Sequence, residues 1–134
     1  MVAKIAVAAA AIEKGISTER KYFCSGSITV DGRVYKCHWE SGHGEIDMKR
    51  ALEISCNPYF IDLALEGGGK DILKLAKDLG FGSAAEFAEG FCSGGGNLPT
   101  EEELLSKTVL SSFAFGQGSF LATPVQMAVL VSSV

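Results

Sequence analysis

The segment from Val2 to Lys14 consists almost entirely of Ala, Val and Ile, with charges only at Lys4, Glu13 and Lys14. Alanine has the highest helix propensity of any residue, and Gly15 at the end of the run suits a left-handed C-cap, so the segment is read as an α-helix. A surface helix would show a polar face, and this one shows none. Such a helix needs cover on both faces and belongs in the middle of a fold. Its place at the extreme N-terminus is unusual, because terminal elements ordinarily fray. With 134 residues, 47% of them hydrophobic and 21% charged, the chain can bury one core and form one domain.

Downstream, the β-formers Ile28, Val30, Val34 and Tyr35 flank Asp31-Gly32, and the pattern predicts a β-ribbon from Tyr22 to Trp39. A two-residue Asp31-Gly32 loop sets Cys24 across from Trp39 with Cys37 as a diagonal neighbour. A four-residue loop from Thr29 to Gly32 sets Cys24 opposite Cys37, so a Cys24–Cys37 disulfide depends on the register. Ser41-Gly42-His43-Gly44 makes a turn, and a helix is expected from Ile46 to Ile54. Asn57 and Pro58 then read as the N-cap and first position of another helix, ended by Gly67-Gly68-Gly69. Lys70 to Leu79 carries a helical stripe closed by Gly80.

The glycine-rich stretch from Gly80 to Pro99 is expected to be largely irregular, with a short helix over Ala84 to Ala88, and Glu101 to Leu105 forms a helical turn. Thr123, Pro124 and Gln126 have the spacing of a capping box, and the helix they start is still apolar at Val134. The expected fold class is mainly α with a small β-hairpin. A chain that stops in a core-type segment reads as a piece of a larger protein.

Several functions are disfavoured at once. The formal net charge of −4 and the lack of any Lys/Arg cluster argue against nucleic acid or an anionic membrane surface as partner. The longest apolar stretch, Ile5 to Ile12, falls far short of the roughly 20 residues of a spanning helix, so a soluble chain without a targeting segment is expected. Cys24, Cys37, His38 and His43 are zinc-ligand types but lack a short Cys-x-x-Cys pair, and neither metal nor cofactor is expected. Gly67-Gly68-Gly69-Lys70 fails as a phosphate loop because Asp71 stands where Ser or Thr is required. Gly42-His43-Gly44 reads as a turn whose imidazole bonds to backbone, Phe113, Phe115 and Phe120 read as packing, and Cys92 has no evident partner.

Ser55-Cys56-Asn57 lies between two predicted helices, where residues two apart can both reach one cleft, one as proton carrier and one as amide partner. Taken alone, the tripeptide is explained by capping. In order along the chain it is accompanied by Phe23-Cys24-Ser25-Gly26, Asp31-Gly32-Arg33, Cys37-His38-Trp39, Gly42-His43-Gly44 and Pro58-Tyr59-Phe60. Phe115-Gly116-Gln117-Gly118 and Thr123-Pro124-Val125-Gln126-Met127-Ala128 follow. In order and spacing these resemble the transpeptidase domain of penicillin-binding proteins over nearly the whole chain.

That resemblance implies a serine D,D-transpeptidase as the parent protein, with an S-x-x-K serine that attacks D-alanyl-D-alanine stem peptides of peptidoglycan and is trapped by β-lactams. It implies that Lys4 is the lysine of that motif, that Ser55 relays a proton, and that Asn57 binds the substrate amide. Met1 occupies the nucleophile's position, and a thioether cannot form an acyl-enzyme. The third motif, K-T-G, is absent, since Lys107-Thr108 is followed by Val109. Residues 1–134 are thus expected to be a partial transpeptidase domain, the helical subdomain of the β-lactamase/transpeptidase-like α+β fold lacking most of its sheet, and inactive alone. The parent is expected to be anchored in the cytoplasmic membrane with this domain outside it, and the piece is expected to self-associate through uncovered apolar surface. The rival readings are a β-lactamase or β-lactam sensor domain and a non-catalytic helical module in which Ser55 and Asn57 are only caps.

Overall fold

The computed structural model describes residues 2–84, 86–92 and 94–132. Helix α1 (Val2–Glu13) leads into strand β1 (Tyr22–Cys24), the hairpin β2 (Ser27–Val30) and β3 (Arg33–Lys36), and strand β4 (Gly44–Ile46). Helices α2 (Met48–Glu53), α3 (Asn57–Gly67) and α4 (Gly69–Asp78) follow. Then come strands β5 (Glu86–Ala88) and β6 (Phe91–Cys92), a 3₁₀ turn (Glu103–Leu105), α5 (Lys107–Ala114) and α6 (Pro124–Ser132). The strands form three antiparallel pairs, β1 with β4, β2 with β3, and β5 with β6.

Helix α3 is the centre of the core. Its Tyr59, Phe60, Ile61, Leu63 and Ala64 are fully enclosed, packed against α1 on one side and α5 on another. The small side chains Ala3, Ala6, Ala10 and Ala11 allow α1 to approach α3 and α4 closely, which is how an alanine-rich helix can be central. At its end the N–H of Ile16 reaches the carbonyl of Ala11 across Gly15, whose φ of 88° only glycine adopts freely. The expectation of cover on both faces is met on one side only. Ile5 and Ile12 remain 36% and 51% exposed, because the helices that pack on α1 all leave this stripe open.

The two-residue Asp31-Gly32 loop is the one that forms, with Ile28 paired to Tyr35 and Val30 to Arg33. Cys24 nonetheless leaves the ribbon, because β1 pairs with β4 and places Cys24 opposite Gly44. The departure occurs where the backbone at Gly26 crosses the backbone at Glu40 to Gly42 too closely for any side chain. Cys24, Cys37, Cys56 and Cys92 are all free thiols.

Two expected elements differ, and one helix is unexpected. Ile46 belongs to β4, and the helix starts at Met48 because Asp47 caps it, its Oδ1 accepting the Arg50 N–H at 2.9 Å. Glu86 to Ala88 is a strand paired with Phe91–Cys92 instead of a short helix, since Gly90 at φ 77° turns the chain into a hairpin. Ala85 of that expected helix, and Val134, lie outside the described residues. Helix α5 was not predicted. Thr108, Val109, Ser111 and Ser112 are weak helix formers, and packing on α3 through buried Leu110 and Phe113 overrides them.

The capping box at α6 forms as read, with Thr123 N–H donating to Gln126 Oε1 at 2.9 Å and Gln126 N–H to Thr123 Oγ1 at 3.2 Å. Buried Gln126 also ties down the glycine-rich stretch, its Nε2 donating to the carbonyls of Gly80, Ser83 and Gly95 at 3.2, 2.9 and 2.8 Å. Gln126→Leu removes all three of these part-buried bonds and is expected to cost about 1–3 kcal/mol, read as a lower urea midpoint.

Candidate active site

Lys4 lies in the first turn of α1 and is only 3% exposed. Its Nζ donates to the Ser55 carbonyl at 2.7 Å, to Ser55 Oγ at 2.9 Å and to Asn57 Oδ1 at 2.7 Å, so each proton of an ammonium has an acceptor. Burial pushes the Lys4 pKa below its ordinary value, opposed by the nearby sulfurs of Cys56 and Cys37. A lysine so placed gives up its proton more readily than one in water.

Ser55 ends α2 in the left-handed region, φ 54°, with its N–H on the Leu52 carbonyl and the next N–H, that of Cys56, on the Ala51 carbonyl. A non-glycine residue there carries roughly 1–2 kcal/mol of strain. The conformation turns both oxygens of Ser55 toward Lys4. Asn57 is the first residue of α3 and not its N-cap. Cys56 holds the cap position without a side-chain hydrogen bond, and the Asn57 amide is engaged by Lys4 and by the carbonyl of Lys36 at 3.3 Å. A charged donor offers the amide oxygen more than a backbone N–H does. Met1, the residue at the expected nucleophile position, lies outside the described residues.

Ser55 and Asn57 open onto a cleft of about 650 Å³ lined also by His38, Trp39, His43, Glu53 and Ile54. A cleft of equal volume over Phe81, Gly82, Leu98 and Pro99 shares none of these residues. His43 therefore faces the cleft, and its Nδ1 approaches Cys37 Sγ to 3.5 Å, where a backbone-bonded turn imidazole had been expected. The His43 pKa is lowered by burial, then by His38 and Arg50.

Behind the cleft wall, the sulfurs of Cys24, Cys37 and Cys56 and a ring nitrogen of His43 all lie within 4.8 Å of one another. The sequence reading singles out three members of this group, Cys24, Cys37 and His43, as zinc-ligand types and sets zinc aside for want of a short Cys-x-x-Cys pair; what it misses is Cys56, which stands inside the Ser-x-Asn motif. Burial raises the Cys56 thiol pKa. Burial also works against ionisation of Cys24, but N–H groups of His43 and Gly26 and the neighbouring thiols bring its pKa below the ordinary value.

The family described as penicillin binding protein transpeptidase domain matches residues 2–134. The chain is 31% identical over 130 residues to stage V sporulation protein D of Bacillus subtilis, covering 96% of this chain and 20% of that protein. It is 29% identical over 113 residues to the peptidoglycan D,D-transpeptidase MrdA of Acinetobacter baumannii, covering 73% and 16%. In structure it is similar to PBP2 of Pseudomonas aeruginosa, solved in complex with WCK 5153, with a TM-score of 0.83 and 25% identity over 95% of this chain and 31% of that one. Penicillin-binding protein A of M. tuberculosis, solved as a ceftriaxone acyl-enzyme, shares the fold with a TM-score of 0.83 at 17% identity, over 98% of this chain and 30% of that one. The chain thus spans about a fifth or less of the curated relatives and under a third of these solved chains.

Proposed function

Since this chain belongs to the penicillin-binding protein transpeptidase domain family, we propose that Lys4, Ser55 and Asn57 serve serine acyl transfer on D-alanyl-D-alanine stem peptides of peptidoglycan, with β-lactams trapped at the same site. The observation that carries the reading is the set of hydrogen bonds from Lys4 Nζ to Ser55 and Asn57, residues more than fifty positions away. Had the motif residues been only helix caps, as in a non-catalytic helical module, their side chains would have no reason to converge on a buried lysine. Among the described residues no helix is long and apolar enough to cross a membrane. The parent protein is proposed to be anchored elsewhere in its chain, with this region on the outer side of the cytoplasmic membrane.

In the proposed mechanism the neutral amine of Lys4 takes the proton of a serine hydroxyl one helical turn before it, as that oxygen attacks the carbonyl carbon. Ser55 Oγ, already bonded to Lys4, passes a proton to the nitrogen of the departing D-alanine, and the Asn57 amide orients the substrate. An amine of a second stem peptide then attacks the acyl-enzyme and closes the cross-link. Residues 1–134 are proposed to run from the end of the first motif of such a domain, through the second, to a point before the third.

The test exchanges residues 2–134 for the matching segment of the B. subtilis sporulation protein and exposes the chimera to a fluorescent penicillin. An adduct that survives denaturation is the expected result. A chimera that is folded by circular dichroism yet unlabelled would overturn the reading. The polypeptide 1–134 alone, with Met1 at the nucleophile's place and no Lys-Thr-Gly, is expected to give no adduct. Its uncovered apolar side chains, Ile5 and Ile12 of α1 and Met127, Val129 and Val131 of α6, are expected to drive self-association. A monodisperse monomer in light scattering at high concentration counts against that expectation.

A further inference from the structure

We propose that Cys24, Cys37, Cys56 and His43 bind one zinc ion in a closed, structural site that clamps the Ser55-Cys56-Asn57 motif from behind. The four donor atoms lie within 4.8 Å of one another, and the three cysteines are 1%, 4% and 0% exposed. Around zinc, with bonds of about 2.3 Å to sulfur and 2.0–2.1 Å to nitrogen, tetrahedral edges measure about 3.5–3.8 Å. The Cys37 Sγ to His43 Nδ1 distance of 3.5 Å already equals such an edge. The longest separations need to shorten by roughly 1 Å to reach that edge, a distance within reach of small side-chain torsions.

The donors come from four places: the end of β1, the residue after β3, the turn before β4 and the N-cap of α3. Gly42 and Gly44, at φ 75° and 69°, turn the chain on either side of His43. A disulfide between any two of the cysteines accounts for two of the four residues, whereas coordination accounts for all four. Soft sulfur donors exclude magnesium and calcium, and four protein ligands leave no open position for a catalytic water.

The consequence lies at the neighbouring motif. Cys56 shares its two peptide bonds with Ser55 and Asn57, so a metal held by Cys56 fixes the strained backbone that aims both residues at Lys4. The test uses the purified protein under reducing conditions, first with zinc and elemental analysis, then with cobalt(II) in place of zinc. Expected are one zinc per chain and cobalt–thiolate charge-transfer bands of three-thiolate intensity. Cys56→Ser is expected to weaken metal binding by about a hundredfold or more and to remove about a third of that intensity. Cys92→Ser, at an exposed thiol outside the group, leaves both unchanged. Folded, reduced protein that takes up neither metal overturns the proposal, as does a disulfide among Cys24, Cys37 and Cys56 in zinc-loaded protein. The cobalt titration of the unsubstituted protein does not depend on whether the variants fold.

Discussion

Lys4→Ala in the chimera is expected to slow penicillin acylation by about 10²–10⁴-fold while the fold persists. The asymmetry follows from the site. Lys4 is the donor common to Ser55 Oγ, the Ser55 carbonyl and Asn57 Oδ1, so its loss removes both the proposed proton acceptor and the link between the motif residues. Stability changes less, because the freed oxygens border an open cleft where water can reach them, and the cost of burying an amine disappears as well. Lys4→Arg separates charge from proton transfer. A guanidinium keeps the positive charge but cannot act as a base near neutrality, and it is expected to be as slow as alanine.

The pH profile gives a second readout. With the Lys4 pKa lowered by burial, the neutral amine becomes available below the ordinary lysine value of 10.5, so acylation rises with pH and its midpoint falls below that value. Wild-type acylation rates in Lys4→Ala would remove Lys4 from the chemistry.

Much of this arrangement is readable in the sequence, and what is not has identifiable causes. The Asp31-Gly32 loop and the box at Thr123 and Gln126 are local devices, complete within a few residues, and they form as the residues dictate. Asn57 shows the limit of local reading. Asn before Pro suits an N-cap, and only the fold brings a buried ammonium within 2.7 Å to claim the amide oxygen instead. Helix α5 is invisible for the converse reason, since its Thr, Val and Ser residues disfavour a helix that burial of Leu110 and Phe113 imposes. The cysteine–histidine group leaves no spacing signature, because its members are joined by the crossing of two backbone segments and not by a short loop.

That crossing carries the second large effect. Gly42→Ala is expected to destabilise the fold severely. A Cβ at Gly42 would lie 2.1 Å from the Cys24 carbonyl oxygen and 2.6 Å from the Gly26 nitrogen, and at φ 75° the backbone disfavours any L side chain. Both obstacles are backbone, so no side-chain rotation relieves them. Moving either strand breaks the pairing of Cys24 with Gly44 and the Cys37 N–H bond to the Gly26 carbonyl. Strain and clash together cost about 4 kcal/mol or more, a large share of a typical 5–15 kcal/mol stability. Gly32→Ala is the control, with a similar φ of 79° and nothing within 4 Å of the added carbon, so only the conformational cost of about 1–2 kcal/mol applies. Urea unfolding distinguishes them, with a modestly lowered midpoint for Gly32→Ala and a far lower one for Gly42→Ala. Equal midpoints would mean that the two segments can separate without loss of the fold, and the close backbone crossing would then not be what holds Cys24 and His43 together.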